Sequence, residues 1–181
     1  MMEIFMPKSS REQIDEDERK ILFELQKNSN ESIDKIARKC GFSRQKVWRL
    51  IKRLEKNKTI WGYTAIIDDN KLGVNRYYVL IKKTNVPTTK DIVDTVIRRD
   101  LKKKMEDLEI HLECSYFIHG SYDWILCLTA SHIKQVKSFI EAFNTLFQNN
   151  VSDIQIQEVI FTIEKFGFDN PNKEDFRDFF G

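Results

Sequence analysis

The sequence has few cysteines, few histidines and no long apolar run. Its three cysteines, Cys40, Cys114 and Cys127, are an odd number at unrelated spacings, which argues against a disulfide framework and fits a reducing compartment. The three histidines do not pair with them at zinc-ligand spacing. No apolar run approaches the roughly 20 residues that cross a bilayer, and the N-terminal "MMEIFMPKSSREQ" lacks the apolar centre of a signal peptide. We therefore expect a cytoplasmic protein without membrane contact, metal or cofactor.

Motifs of catalysis are also missing. The sequence shows no Ser/His/Asp or Cys/His arrangement, no carboxylate pair and no phosphate-binding glycine loop. No catalytic residue is assigned, and we expect a protein that is not an enzyme.

Positive charge is concentrated in one segment. Residues 31–58 contain ten Lys or Arg and three Asp or Glu, a net charge of +7, whereas the whole chain carries +2. From residue 59 onward fifteen basic residues face eighteen acidic ones, a net charge of −3. Such confinement is typical of a nucleic-acid-binding module attached to a different module.

Three helices are predicted in the first 60 residues. The first runs from about residue 14 to 27, and the second is "IDKIARKC". Gly41 ends the second helix, and Ser43 caps a third helix from Arg44 to about Asn57. Two helices joined by a glycine-containing turn, with cations at the exposed start of the second, indicate a helix-turn-helix.

The third helix is predicted to be apolar on one face and cationic on the other. Spacing of about 100° per residue places four apolar residues on its buried face: Val47, Leu50, Ile51 and Leu54. Arg44, Gln45 and Arg49 lie near the helix start, where they can reach base edges of double-stranded DNA. Three later cations are predicted to hold phosphates: Lys52, Arg53 and Lys56.

Two bland alternatives accompany this interpretation. A cationic helix face can simply be solvated. Trp48 either packs against the first helix, which we favour, or lies against a thymine methyl group.

The rest of the chain predicts a second module. "TIWGYTAIIDD" reads as a strand or wing. The order from residue 74 is strand, one long helix over "TTKDIVDTVIRRDLKKKMEDL", two strands joined at Gly120, helix, and a last strand "IQIQEVIFTIEKF". This βαββαβ order predicts an α+β ferredoxin-like sandwich, with one antiparallel sheet and both helices on one face.

The predicted sheet is apolar on both faces. In "YDWILCLTA" and "RYYVLIKK" both alternating sets of side chains are apolar, whereas a half-solvated antiparallel sheet should alternate apolar and polar residues. We therefore expect the second face to meet another subunit in a homodimer or higher even oligomer.

Domain boundaries follow from these elements. We expect an N-terminal extension (1–13), a helix-turn-helix domain (14–61), a linker strand (62–73), the sandwich (74–166) and a C-terminal tail (167–181). The end of the chain is rich in phenylalanine and is expected to fold back on a sheet edge or a neighbouring subunit: Phe166, Phe168, Phe176, Phe179 and Phe180.

Residues 14–73 resemble the Lrp/AsnC, or feast/famine, family of transcription regulators. The likeness includes the acidic helix start before "KIL", the "IA" and "G" of the second helix and turn, "IKRLE", "GYTA" and "LG", and it continues more weakly through "GSYDWILCLTA". It implies an even oligomer, built through the sandwich, that binds DNA through paired N-terminal units. It also implies an amino-acid-like effector between sandwiches of neighbouring subunits. Six residues match exposed positions of the family's recognition helix: Ser43, Arg44, Gln45, Arg49, Lys52 and Arg53.

The resemblance also assigns a candidate effector site. Gly120, Tyr122 and Asp123 match the hairpin that borders the family's effector pocket, although a hairpin whose glycine serves the turn and whose aspartate caps backbone donors explains them equally. The stretch "NVSDIQIQ" departs from the family pattern. Asn150 stands where glycine is usual, and Ile154 and Ile156 stand where threonine hydroxyls would be expected.

Two other functions remain open. Sirohaem decarboxylases resemble the same two-module arrangement, but their hairpin looks like His-x-Tyr-Asn, whereas this chain has "GSYD" with His119 one place earlier. An architectural protein that compacts DNA with little specificity would differ from a regulator only in its specificity ratio.

Overall fold

The structure is a computed structural model that describes residues 11–179. The predicted N-terminal extension therefore lies largely outside the described residues, as does Phe180. Clustering of contacts divides the chain into two units, one ending at Ala65 and the other beginning at Ile66.

Unit 1 is built from three helices: α1 (Arg11–Lys27), α2 (Ile33–Cys40) and α3 (Arg44–Lys56). Their apolar stripes meet in one core made of Ile21, Leu25, Ile36, Ala37, Val47, Leu50 and Leu54. Each helix contributes at least two of these residues, so each buries one face against the other two. The predicted helix-turn-helix is confirmed.

The predicted linker strand is wrong. Residues 61–68 contain no helix or strand, and residues 69–72 form a short helix, α4 (Asp69–Leu72), in which Asp68 accepts a hydrogen bond from the Asn70 N–H at 3.0 Å. A β-branched pattern becomes a strand only beside another strand with which it exchanges backbone hydrogen bonds. The described part of unit 1 contains no other strand.

Unit 2 contains a four-stranded antiparallel sheet in the order β2-β3-β1-β4. Its strands are β1 (Asn75–Lys83), β2 (His111–Phe117), β3 (Trp124–Ala130) and β4 (Val151–Glu158), and its helices are α5 (Lys90–Ile97), α6 (Asp100–Asp107) and α7 (Ile133–Phe147). One core joins the sheet to the helices, with Val79 of β1, Leu126 of β3, Met105 of α6 and Phe139 of α7 all buried. The predicted ferredoxin-like sandwich is confirmed.

The single long helix predicted between β1 and β2 is two helices. They meet at Arg99, whose φ of 59° is left-handed. At about 100° per residue, Ile92 and Leu101 would lie about 180° apart on one straight helix, so both could not face the sheet. The break re-aims the chain: Ile92 packs against the core from α5, and Leu101 is buried from α6.

Strand β4 is shorter than predicted. It ends at Glu158, which pairs with Tyr77, and β1 begins only two residues earlier, at Asn75. Residues 160–166 therefore have little of β1 left to pair with. They lead instead into a two-stranded hairpin, β5 (Glu164–Lys165) with β6 (Phe168–Asp169), followed by a short 3₁₀ helix (Lys173–Asp175) and α8 (Phe176–Phe179).

The tail folds back on the chain near α4. Lys165 Nζ lies 2.7 Å from Asp69 Oδ1 and donates to the Ile67 carbonyl at 3.1 Å. Phe176 packs against Phe161 with ring centroids 5.1 Å apart. Phe166 remains 69% exposed.

On the sheet face opposite the helices, Arg76 is held by two carboxylates. Its side chain is buried and donates to Asp69 through Nε at 2.9 Å and Nη2 at 3.0 Å. It also donates through Nη2 to Glu113 at 2.8 Å and bonds the same carboxylate through Nη1. Burial alone would lower the pKa of Arg76, but its hydrogen bonds to Glu113, Asp69 and Cys127 raise it above its ordinary value. Arg76 therefore stays charged and balanced.

Candidate nucleic-acid interface

The turn between α2 and α3 is fixed by two local devices. Gly41 adopts a left-handed φ of 69°, and the Phe42 N–H donates to the Ala37 carbonyl at 2.9 Å. Ser43 then caps α3, because its Oγ accepts from the Lys46 N–H at 3.2 Å. Glycine adopts this conformation at little cost, and serine satisfies an otherwise free donor at the helix start. Together they set where α3 begins and which way it points.

The buried face of α3 is the predicted one. Val47, Leu50 and Leu54 are buried, and Ile51 packs against the same core. Because these residues fix the rotation of α3, the opposite face must point to solvent.

That opposite face presents side chains with no partner of their own. Gln45, Arg49 and Lys56 are exposed, and none of them makes a side-chain hydrogen bond or ion pair to another described residue. Arg44 approaches Asp34 only at 3.5 Å, with both side chains largely exposed. Lys52 lies 2.7 Å from Glu55 in an exposed pair. Exposed pairs of this kind contribute little and exchange readily for other anions.

Two other cations of α3 are engaged inside unit 1. Lys46 Nζ lies 2.5 Å from Asp17 Oδ2 and 4.0 Å from the centre of the Phe42 ring. Arg53 Nε donates to Glu18 at 2.7 Å. Hydrogen bonding to Lys46 outweighs burial and lowers the pKa of Asp17. These pairs hold α3 against α1.

Sequence reasoning missed the pairing role of Lys46, and it predicted phosphate contact for Arg53 without its partner. One signal was available. The acidic run at the start of α1 contains more carboxylates than a helix terminus needs, and a neighbouring cationic helix is the obvious partner for the surplus.

Trp48 does not pack as expected. It is 55% exposed and has no aromatic partner among the described residues. Trp61 is 94% exposed and Tyr63 is 52% exposed, although the Tyr63 hydroxyl donates to Glu55 at 3.2 Å. Large aromatic surface therefore lies open on α3 and on the segment that follows it.

The candidate effector hairpin connects β2 to β3. Gly120 has a φ of 151°, so it supplies the positive φ predicted for the turn. Asp123 Oδ2 accepts from the Lys83 N–H at 2.8 Å, and its carbonyl accepts from the Ile118 N–H at 2.9 Å. The capping role of Asp123 is confirmed. Tyr122 is partly exposed beside it.

Residues 11–179 offer no other obvious site class. Within them no helix has the length and apolar character of a membrane span. No three His, Cys, Asp or Glu side chains of these residues come together in a way that would hold a metal ion.

Comparison with known proteins gives concordant matches. Residues 14–60 match the family model "Winged helix-turn-helix DNA-binding". The leucine-responsive regulatory protein of Haemophilus influenzae is 29% identical over 121 residues, which cover 67% of this chain and 69% of that protein. The transcriptional regulator AzlB of Bacillus subtilis is 24% identical over 152 residues, covering 84% and 91%.

A solved structure agrees with both modules. The feast or famine regulatory protein of Mycobacterium tuberculosis, in complex with L-methionine, superposes with a TM-score of 0.61 at 20% identity, covering 84% of this chain and 95% of that one. The chain belongs to the Lrp/AsnC family of transcription regulators.

Against the Lrp/AsnC pattern, the departures before β4 now have locations. Ile154 and Ile156 pack against the core on the helix side of the sheet. Asn150 lies in the turn before β4, where its N–H donates to the Phe147 carbonyl at 2.8 Å and its carbonyl accepts from the Thr84 N–H at 3.0 Å. None of the three therefore lies in the hairpin that contains Gly120 and Asp123.

Proposed function

We propose that this protein regulates transcription by placing α3 in the major groove of a specific, pseudo-palindromic DNA site. One observation carries the proposal. Gln45, Arg49 and Lys56 lie without intramolecular partners on the solvent face of a helix whose start and rotation are fixed. The net charge of +7 over residues 31–58 favours DNA as the partner of that face.

Different residues of this face have different roles. Arg49 and Gln45 lie in the first half of α3, where an arginine fork matches guanine and a glutamine amide matches adenine. Arg44 adds a third candidate for base contact, since its pairing with Asp34 is loose and exposed. Lys52 and Lys56 are assigned to phosphates. Ser43 serves first as the cap, and its hydroxyl still has a proton to donate.

Arg53 makes a smaller contribution in this proposal. Its guanidinium is held by Glu18, so it contacts phosphate through the donors that this pair leaves free. Trp48 takes the alternative role, because its exposed ring can meet a thymine methyl group.

A dimer or higher even oligomer is the second part of the proposal. On the sheet face opposite the helices, Tyr78 is 40% exposed and Tyr116 is 56% exposed, with Leu80 and Ile125 partly exposed between them. A second copy of this face would cover these side chains. Two copies of α3 would then read two half-sites.

A small effector is the third part. The structural neighbour from Mycobacterium tuberculosis is complexed with L-methionine, and we assign an amino-acid-like ligand to the hairpin of Gly120, Tyr122 and Asp123. Screening the amino acids by thermal shift tests this assignment. Stabilisation by one of them, lost in Tyr122→Ala, supports it, and no stabilisation by any of them contradicts it.

Selection of bound sequences from random DNA at two salt concentrations tests the regulator proposal. A specific regulator enriches one motif with two-fold symmetry at both concentrations, because base contacts persist when phosphate binding is weakened. Binding without enrichment would identify a DNA-compacting protein instead. Absence of DNA binding, together with co-purification of a tetrapyrrole, would favour an enzyme related to the sirohaem decarboxylases.

A further inference from the structure

A cavity of about 420 Å³ lies between α5 and the sheet of unit 2. None of the residues of α5 is buried, and Val93 and Ile97, which line the cavity, are 44% and 70% exposed. The helix therefore covers the sheet without filling the space beneath it. The volume is within the range of small-molecule sites in proteins.

The walls of the cavity are apolar and aromatic. Trp124 packs against Phe143 at 5.5 Å and Phe147 at 5.9 Å between ring centroids, and Phe117 stacks on it at 4.7 Å. The indole Nε1–H of Trp124 already donates to Ser115 Oγ at 2.8 Å. This wall offers contact area and no unsatisfied polar group, so it suits an apolar ligand body.

The polar lining consists of potential donors and lacks acids. Lys83, Thr88 and Asn150 line the cavity, and no Asp or Glu does. Asn150 Nδ2 is buried and has no hydrogen-bond partner within the described residues. The Lys83 ammonium makes no ion pair with another described residue. A buried donor without a partner is unfavourable unless a ligand supplies the acceptor.

We propose that this cavity binds an apolar monocarboxylate. Its hydrocarbon or aromatic body lies between α5 and the aromatic wall, and its carboxylate accepts hydrogen bonds from Lys83 Nζ and Asn150 Nδ2. An α-amino acid fits less well, because no lining side chain carries the negative charge that would balance its ammonium. The site is contained in one chain and lies on the helix side of the sheet, so it goes beyond the effector assigned to the hairpin.

The position of Asn150 also has a role in this proposal. The turn that contains it is fixed by its backbone bonds to Phe147 and Thr84. A glycine there would leave the cavity without its buried amide donor.

Calorimetric titration with octanoate, 1-octanol and octylamine tests the proposal at pH 7.5, because these probes share one chain length and differ in head group. We expect one octanoate per chain, bound at least fivefold more tightly than octanol and tenfold more tightly than octylamine. Lys83→Met should weaken octanoate at least fivefold and leave octanol unchanged. Lys82→Met is the matched control, since the neighbouring lysine does not line the cavity, and it should change neither.

Two further variants separate the cavity from exposed apolar surface. Val96→Phe places a larger side chain in the cavity and should abolish binding of octanoate and octanol, with circular dichroism confirming the fold. Asn150→Leu should weaken octanoate and serves as the second test if Val96→Phe does not fold. Absence of octanoate binding to the unmodified protein, equal affinity for the three head groups, or octanoate binding that survives both Lys83→Met and Asn150→Leu would overturn the proposal.

Discussion

Lys46 of α3 and Asp17 of α1 form an ion pair with a distance of 2.5 Å between Nζ and Oδ2, and Asp17 is 6% exposed. The pair joins the proposed recognition helix to the helix that supports it. A charge-assisted hydrogen bond with one buried partner is stronger than a surface ion pair. This cation therefore belongs to the fold more than to the DNA-binding surface.

Replacing Asp17 with Asn should destabilise unit 1. The change keeps the shape of the side chain but removes its charge, and we expect the free energy of unfolding to fall by about 1 to 2 kcal/mol. Urea unfolding measured by helical circular dichroism checks this value. Glu16→Gln is the control, because the Glu16–Lys20 pair on the same helix is largely exposed and should contribute nothing measurable. Equal losses in the two variants would contradict the role of Asp17.

The same pair predicts a pH dependence. The pKa of Asp17 is lowered in the folded protein, so its stabilisation is fully present above the pKa of the unfolded side chain, about 3.9, and is lost as the pH falls through the folded value. The difference in unfolding free energy between the unmodified protein and Asp17→Asn should be constant from pH 7 to 5 and should shrink below about pH 4. A difference that stayed constant down to pH 3 would show that the charge of Asp17 is not the cause.

Arg49 and Lys56 should differ in their effect on DNA binding. Arg49→Ala should cost about 1 to 3 kcal/mol on the selected site and relax the base preference, because it removes a contact with a base edge. Lys56→Ala should weaken cognate and random DNA similarly and reduce the salt dependence by about one counterion. Binding isotherms at several salt concentrations measure both effects, with Arg98→Ala in unit 2 as the control. Equal losses on cognate and random DNA for Arg49→Ala would remove its base-reading role.

Tyr78 should control the oligomeric state. We expect Tyr78→Glu to convert an even oligomer into monomers, because a carboxylate buried between two sheets has no cation to pair with. Light scattering at micromolar protein gives the mass, for which the chain contributes 21.6 kDa. Leu146→Glu, on the exposed side of α7, is the control and should leave the mass unchanged. An unmodified protein that is monomeric would contradict the proposed interface itself.

Arg76 should be among the most sensitive positions of unit 2. Arg76→Met leaves Asp69 and Glu113 without their shared cation, and we expect the free energy of unfolding to fall by about 3 kcal/mol. Arg98→Met is the control, because the Arg98–Asp100 pair is largely exposed and should change stability little. Chemical unfolding of both variants measures the difference, and a loss at Arg76 no larger than at Arg98 would show that the two carboxylates are solvated.

Local features of the fold were predictable because they depend on residues close together in the sequence. Ser43 and Gly41 act within one helical turn of their own positions, and the buried stripe of α3 follows from its period. The exposed, unpartnered state of Arg49 was likewise implied by its angular position. The predicted linker strand failed for the opposite reason, since a strand exists only with a neighbour and that neighbour is not encoded locally.

By itself, the sequence determined the helix-turn-helix, the order of the sandwich and the concentration of cations on α3, because periodicity, capping and charge are properties of short segments. Only the tertiary structure decided which cations are free. Lys46 and Arg53 pair with carboxylates of α1 that are about 30 residues away in the chain, whereas Arg49 has no such partner. Only the tertiary structure, too, opened a cavity beneath α5. The break at Arg99 allows α6 to bury Leu101 and leaves α5 as a cover, and its outcome depends on the packing of distant elements.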